Sequence, residues 1–170
     1  TIFIVYAGQE VVMKVDPSDG SEIWTDINPN SEYSVALVES SNDYLFSAGT
    51  AWEEDLTITK LDRFGNRLWT ADIDNTSDII PADLCISEDD IIYYGGHTGR
   101  FGAGDPFDYS CVSIDTNINV NWIKHYANPR GYSLSHIRNE LYGIKAGTDG
   151  IYMFGGTGDE GSYSATNPPY

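Results

Sequence analysis

One pattern constrains this chain more than any other. An apolar stretch, an Asp, a short polar turn and a second stretch carrying Trp occur in that order three times. The copies are Lys14 to Trp24 with Asp16, Lys60 to Trp69 with Asp62, and Ser113 to Trp122 with Asp115. The Asp-to-Trp separations are 8, 7 and 7 residues, and the Trp residues of successive copies lie 45 and 53 apart. A second element alternates with the first. Asp43-Tyr-Leu-Phe-Ser-Ala-Gly49-Thr50 matches Asp90-Ile-Ile-Tyr-Tyr-Gly-Gly96-His97 and Gly150-Ile-Tyr-Met-Phe-Gly-Gly156-Thr157, and Ile2 to Gly8 is a fourth copy. These runs are short, β-branched and aromatic, and end on glycine, so they read as strands. No window holds a convincing 3.6-residue apolar period; Ser135 to Ile144 is the best helical candidate.

The repeating unit is four strands over about 45 to 55 residues, the period of propeller blades. Counting outward from the axis, the first strand carries the Trp. The second covers 34–39, 82–87 and about 141–145; the third is the glycine-ended run; the fourth, at 11–15, 56–61 and 109–114, precedes the Asp. The expected fold is all-β, a partial propeller of four-stranded antiparallel blades. Its blade elements are 1–16, 17–62, 63–115 and 116–170, thirteen strands or about three and a quarter blades. Propellers close with four to eight blades, so another chain or a missing part of a precursor is expected to complete the ring.

Asp16, Gly20 and Trp24 resemble the tryptophan-docking repeat of quinoprotein-type propellers, whose spacing is Asp, Gly four later and Trp four later again. Asp62, Gly65 and Trp69 fit with one residue fewer, and the third copy has Ile118 at the Gly65 position. The chain also looks like kelch repeats, in which a Gly-Gly doublet closes one strand and a Trp follows in a later one: Gly95-Gly96 and Gly155-Gly156 fit, and the first blade has only Ala48-Gly49. The resemblance implies blade architecture and leaves function open, because propellers host many unrelated activities. The adjacent cysteine pair frequent in quinone-binding propellers is missing, so pyrroloquinoline quinone is not expected from this chain alone.

Antiparallel strands alternate direction, which sorts the connections onto two ends. One end has only tight turns rich in Asp, Asn and Gly. The other has the long loops, and function tends to sit on loops carried by a rigid scaffold. Candidate ligand-binding residues at that end are Trp52 and Glu53, His97 and Arg100, and Arg130, His136 and Arg138. An aromatic beside carboxylates can stack on a sugar or a cation, His titrates near neutrality, and Arg reads carboxylate or phosphate. The plainer reading is that the cations offset neighbouring acids. Trp24, Trp69 and Trp122 are read as packing residues between blades, and His125 as structural. Asp72, Asp74, Asp78 and Asp83 fall at positions 1, 3, 7 and 12 of an EF-hand-like ligand frame. Ser77 replaces the required Gly and no helices flank the loop, so a weak Ca²⁺ site competes with a solvated acidic loop.

Nine Lys and Arg against 26 Asp and Glu give a formal charge of −17, which disfavours phosphate backbones and anionic membranes as partners. No apolar run is long enough to span a bilayer. Cys85 and Cys111 fall two strand spacings apart, about 9–10 Å, too far for a disulfide. Asn75-Thr-Ser77 is an N-glycosylation acceptor in a long loop. With the acidity and a first residue that is not Met, it points to an extracellular protein. The functional expectation is a binding module that grips a protein, glycan or cation through the long-loop end. The alternatives are a quinoprotein-like dehydrogenase or carbohydrate-active enzyme whose site is shared with missing blades, and a secreted toxin or defence protein.

Overall fold

The computed structural model describes residues 9–29, 31–50, 54–99, 107–126 and 137–159. Among the described residues it is all-β, every strand pairing is antiparallel, and twelve strands form four sheets. The first sheet is β1 (Glu10–Val15) and β2 (Glu22–Asn28). The second is a meander of β3 (Tyr33–Glu39), β4 (Leu45–Thr50), β5 (Leu56–Leu61) and β6 (Arg67–Ile73). The third is a matching meander of β7 (Ile80–Ile86), β8 (Ile92–His97), β9 (Tyr109–Ile114) and β10 (Val120–Tyr126). The fourth is β11 (Ile137–Ala146) and β12 (Ile151–Asp159). The opening run Ile2 to Gly8 lies outside the described residues. Ser135 to Ile144 is not a helix where it is described, because β11 begins at Ile137. Alternating Leu141, Gly143 and pairing with β12 suit a strand, and the weak helical period gives way to that ladder.

The grouping of strands differs from the sequence expectation by one strand. The Trp strand is the last of its sheet, not the first of the next: Lys60 pairs with Trp69 and Ser113 with Trp122. The reason is the turn that Asp makes. Asp62 Oδ1 accepts from the backbone N–H of Phe64 at 2.8 Å and Asn66 at 2.9 Å, and Oδ2 accepts from the Asn66 amide at 2.8 Å. Asp115 repeats this on Asn117 and Asn119 at 2.8, 2.9 and 2.7 Å. Such a carboxylate-wrapped turn reverses the chain within four residues, so it closes a hairpin and cannot carry the chain to a neighbouring sheet. The turn needs one left-handed residue. Gly20 and Gly65 supply it at φ 76° and 86°; Ile118 adopts φ 67°. A β-branched residue there is strained by roughly 1–3 kcal/mol. Ile118 also packs against the core, which offsets part of that cost.

A second device recurs in the first strand of each later sheet. The register slips between Ser34 and Ala36, between Pro81 and Asp83, and between Leu141 and Gly143. Each bulge stands opposite a glycine: Gly49, Gly96 and Gly155. A Cβ on Gly96 would sit 2.3 Å from the Ile80 carbonyl oxygen, and one on Gly155 would sit 1.9 Å from that of Glu140. The bulged backbone leans across the glycine, which is why these strands end on that residue. This register also revises the alignment of the fourth sheet. Gly155, not Gly156, takes the place of Gly96, because the β11–β12 turn is one residue shorter.

The main core lies between the second and third sheets. Phe46, Ala48, Leu56, Ile58 and Ile73 meet Leu84, Ile92, Tyr94, Val112 and Ile114, with Trp69 and Ile123 at the edge. The Tyr94 hydroxyl crosses to the Gly49 carbonyl at 2.9 Å. The first strands adjoin in series, β3 against β7 and β7 against β11. Trp24 crosses from the first sheet onto the β5–β6 turn, its indole N–H donating to the Arg63 carbonyl at 3.3 Å. A Cβ on Gly65 would lie 2.6 Å from the Trp24 ring.

Gly65→Ala is therefore expected to cost about 2–3 kcal/mol, the sum of left-handed strain and displacement of Trp24. Gly20→Ala meets nothing within 4 Å and should cost only about 1 kcal/mol. Urea unfolding followed by Trp fluorescence measures both, and equal losses would contradict docking of Trp24 on Gly65.

Candidate functional site

The two ends of the strands differ as the alternation predicts. The β1–β2, β3–β4, β5–β6, β7–β8, β9–β10 and β11–β12 turns share one end and are short. Among their acids Asp16, Asp62, Asp90 and Asp115 are engaged. Ser18 donates to Asp16 from its hydroxyl and backbone, Asn66 to Asp62, and Ser41 to Asp90, and these bonds hold all three carboxyls below their ordinary range. At Asp115 slight burial pushes upward, but the Asn119 amide and backbone outweigh it and the carboxyl is lowered. The Asp90–Ser41 bond at 2.8 Å also ties the β7–β8 turn to the β3–β4 turn of the neighbouring sheet.

The opposite end holds the longer connections and the sequence-derived candidates. Trp52, Glu53, Arg100, Arg130 and His136 lie outside the described residues. His97 closes β8, half-buried, with its ring stacked on Phe107 at 5.2 Å and 24°. Arg138 lies in β11 opposite Gly158. Asp72, Asp74 and Asp78 are exposed around the β6–β7 connection. Asp83 is engaged elsewhere: it accepts from the Leu84 N–H at 2.8 Å and from the Ile144 N–H at 3.0 Å, joining β7 to β11. No three His, Cys, Asp or Glu groups gather as metal ligands among the described residues. The connection itself is built on Thr76, fully buried, whose N–H donates to Asp55 and whose hydroxyl donates to the Ile73 carbonyl at 2.6 Å. Asn75 beside it is exposed, with φ 65°.

Cys85 and Cys111 are both free, as their strand spacing predicts. Burial pushes their thiols up to about 11 and about 12. Both are thiols at neutral pH, a poor starting point for nucleophilic or metal chemistry.

A polar cluster at the same end escaped the sequence reading. Glu10, the first residue of β1, is 1% exposed. Its carboxylate accepts from the Ser47 hydroxyl, from Asn28 Nδ2 at 2.8 Å and from the Thr59 hydroxyl at 3.1 Å. Thr70 lies 2.9 Å from Thr59 and also meets the Asn28 amide. Arg67 makes a bidentate pair with Asp26 at 2.9 Å and reaches Asn28 Oδ1 at 3.4 Å. The register shows what is unusual here. At the interface of the second and third sheets, the equivalents of Glu10, Asn28, Ser47, Thr59 and Thr70 are Leu56, Ile73, Tyr94 and Val112, all in the core, and Ile123, packed against it. One interface is fully polar where the next, built on the same positions, is apolar. The available signal was an acid at inward parity ahead of the apolar pair Val11-Val12.

Its members bond to one another across the first and second sheets, so the cluster joins those sheets. Glu10→Ala is expected to cost about 3 kcal/mol or more, because it leaves buried donors unpaired. Glu10→Gln replaces one acceptor by a donor and should cost about 1–3 kcal/mol. Chemical denaturation checks the order, and a neutral Glu10→Ala would contradict it.

The lowered turn carboxylates carry a pH dependence of defined sign. A carboxyl whose folded pKa lies below its unfolded value contributes stability above about pH 4, lost as pH falls through the folded value. Thermal melts should therefore be flat above about pH 5 and fall below about pH 4. In Asp62→Asn and Asp115→Asn together that acid fall should be shallower; an unchanged slope would contradict the assignment.

Comparison with protein-family models and with curated proteins gives no match to this chain.

Proposed function

We propose that the chain supplies a run of blades to an extracellular β-propeller that binds a protein, glycan or cation at its long-loop end. Another chain or further blades complete the ring in this reading. One observation carries it: successive four-stranded meanders stack through equivalent faces while their first strands, β3, β7 and β11, adjoin in series. In a propeller the first strands line the axis and the fourth strands form the rim. The Asp–Gly–Trp spacing and the glycine-ended strands support the same reading by resemblance to quinoprotein-type and kelch repeats. Binding is assigned to the long-loop end because the loops there are longer and the short turns at Asp62 and Asp115 spend their carboxylates on their own backbones. Trp52, Glu53, His97, Arg100, Arg130, His136 and Arg138 are the residues proposed to contact the ligand. Asp72, Asp74 and Asp78 around the β6–β7 connection do not gather as a metal-ligand group, and Asp83 is bound to β11, so the acidic frame is read as a solvated loop. Exposed Asn75 is the proposed glycan acceptor and supports secretion.

Two measurements test this. Binding on a glycan array should be lost in a chain with Trp52, Arg100 and Arg130 changed to Ala, and kept in Asp62→Asn. Binding lost only in the short-turn variant would overturn the assignment. Expression in a secreting eukaryotic host should give a mass shift removed by amidase treatment and abolished by Asn75→Gln; no shift would count against extracellular processing.

A further inference from the structure

The interface between the first and second sheets carries more oxygen than its own hydrogen bonds use. Compared with the next interface, the substitutions run one way. Leu56, Tyr94 and Val112 lie in that core, and their counterparts Glu10, Ser47 and Thr59 each bring a side-chain oxygen. One row nearer the long-loop end, Pro81, Gly96, Ser110 and His125 of the third sheet correspond to Ser34, Gly49, Thr57 and Asp72 of the second. Ser34 and Thr57 are both buried, at 8% and 4% exposure, and Gly49 between them has no side chain. Side chains alternate along a strand, so Thr57 turns to the same side as Thr59, which bonds Glu10. The Thr57 row therefore borders the row that holds the Glu10 carboxylate.

Two of these groups lack what burial demands. Ser110 Oγ meets His125 Nδ1 at 2.8 Å, but Thr57 Oγ1, at the same position one sheet earlier, is buried with no hydrogen-bond partner. Glu10 is the only charged side chain among the buried described residues. Its donors, Ser47, Asn28 and Thr59, are all uncharged, and no ion pair reaches it among the described residues. Arg67 is spent on Asp26. Arg67 also reaches Asn28 Oδ1, which turns the Asn28 amide N–H groups towards Glu10 Oε2. The other carboxylate oxygen, Oε1, has the Ser47 hydroxyl. Buried charges in proteins are paired or coordinate metals, and buried hydroxyls find partners.

We propose that a small monovalent cation such as Na⁺ binds between the first and second sheets, on Glu10 Oε1, Ser47 Oγ and Thr57 Oγ1, with Ser34 flanking it. Every atom offered is an oxygen, the preference of hard cations. Ser47 pairs with Thr59, so Ser47 and Thr57 are diagonal neighbours on adjacent strands. Such residues lie about 7–8 Å apart at Cα with their side chains closer, a gap that one ion holding each oxygen at about 2.4 Å can bridge. Charge sets the valence. One positive charge neutralises Glu10, whereas a divalent ion collects several carboxylates. Asp72, exposed at the end of the Thr57 row, adds negative potential from the solvent side. The site is separate from the long-loop ligand and does not depend on how the ring is completed. Because its ligands come from both sheets, bound cation ties β1–β2 to the second sheet.

Thermal melts of the full chain in different chlorides test this. They are made at one fixed ionic strength, because any salt screens a chain of net charge −17. Replacing choline chloride by sodium chloride should raise the melting temperature by about 3 °C or more. Thr57→Val keeps the β-branched shape and removes the oxygen. It should melt no lower than wild type in choline chloride and lose most of the sodium response. Glu10→Gln should lose the response as well, and Asp115→Asn, at the short-turn end, should keep it. Equal melting temperatures in sodium and choline chloride, or a sodium response that survives intact in Thr57→Val, overturns the site and leaves Thr57 to a buried water. A rise with calcium chloride and none with sodium chloride overturns the monovalent assignment.

Discussion

The structure depends on a carboxylate turning the chain back on itself. Asp62 and Asp115 each gather two backbone N–H groups and one Asn amide, and that closure fixes where the next strand begins. The Trp that follows is then set against the third strand in a constant register, opposite Lys14, Lys60 or Ser113. From that position Trp24 can reach the equivalent turn of the next sheet, where only a glycine leaves room for it. Local turn chemistry and sheet-to-sheet packing are therefore one device. A residue in the turn, Gly65, serves both the backbone conformation and the neighbouring indole.

The repeats keep this device and vary what lies between the sheets. Leu56, Ile73, Tyr94, Val112 and Ile123 make one interface apolar. Glu10, Asn28, Ser47, Thr59 and Thr70 make the preceding one a hydrogen-bonded network around a buried carboxylate. An apolar face can pack on many partners, whereas a buried carboxylate tolerates only a surface that offers its donors in the right places. The polar interface thus restricts which sheet may stand beside β1–β2. Arg67, paired with Asp26 across the same boundary at 2.9 Å, adds a second such restriction.

Much of this was legible in the sequence. The three Asp–turn–Trp segments, the glycine-ended strands and the sorting of short turns from long loops follow from turn residues and strand composition. The grouping of strands did not follow, because the Trp strand is equally well read as closing one sheet or opening the next until Lys60 is seen opposite Trp69. The alignment of Gly155-Gly156 on Gly95-Gly96 failed by one residue, since the turn at Gly147 to Gly150 is shorter and a one-residue slip exchanges the faces of a strand. That slip is what turns Tyr152 and Phe154 outward. Glu10 went unnoticed because an acid near a strand end looks solvated until its neighbours are known. Of the proposed ligand-binding residues, the structure describes the surroundings of His97 and the strand position of Arg138, and it ties Asp83, of the acidic frame, to β11.

The central claim is that these sheets are wedges arranged about one axis, with the β3, β7 and β11 strands innermost. Electron cryomicroscopy of the intact native assembly measures this most directly. The account predicts a ring in which β3, β7 and β11 line the central channel and β6 and β10 lie on the rim. A two-layer sandwich, or a map with β6 and β10 at the centre, would contradict it.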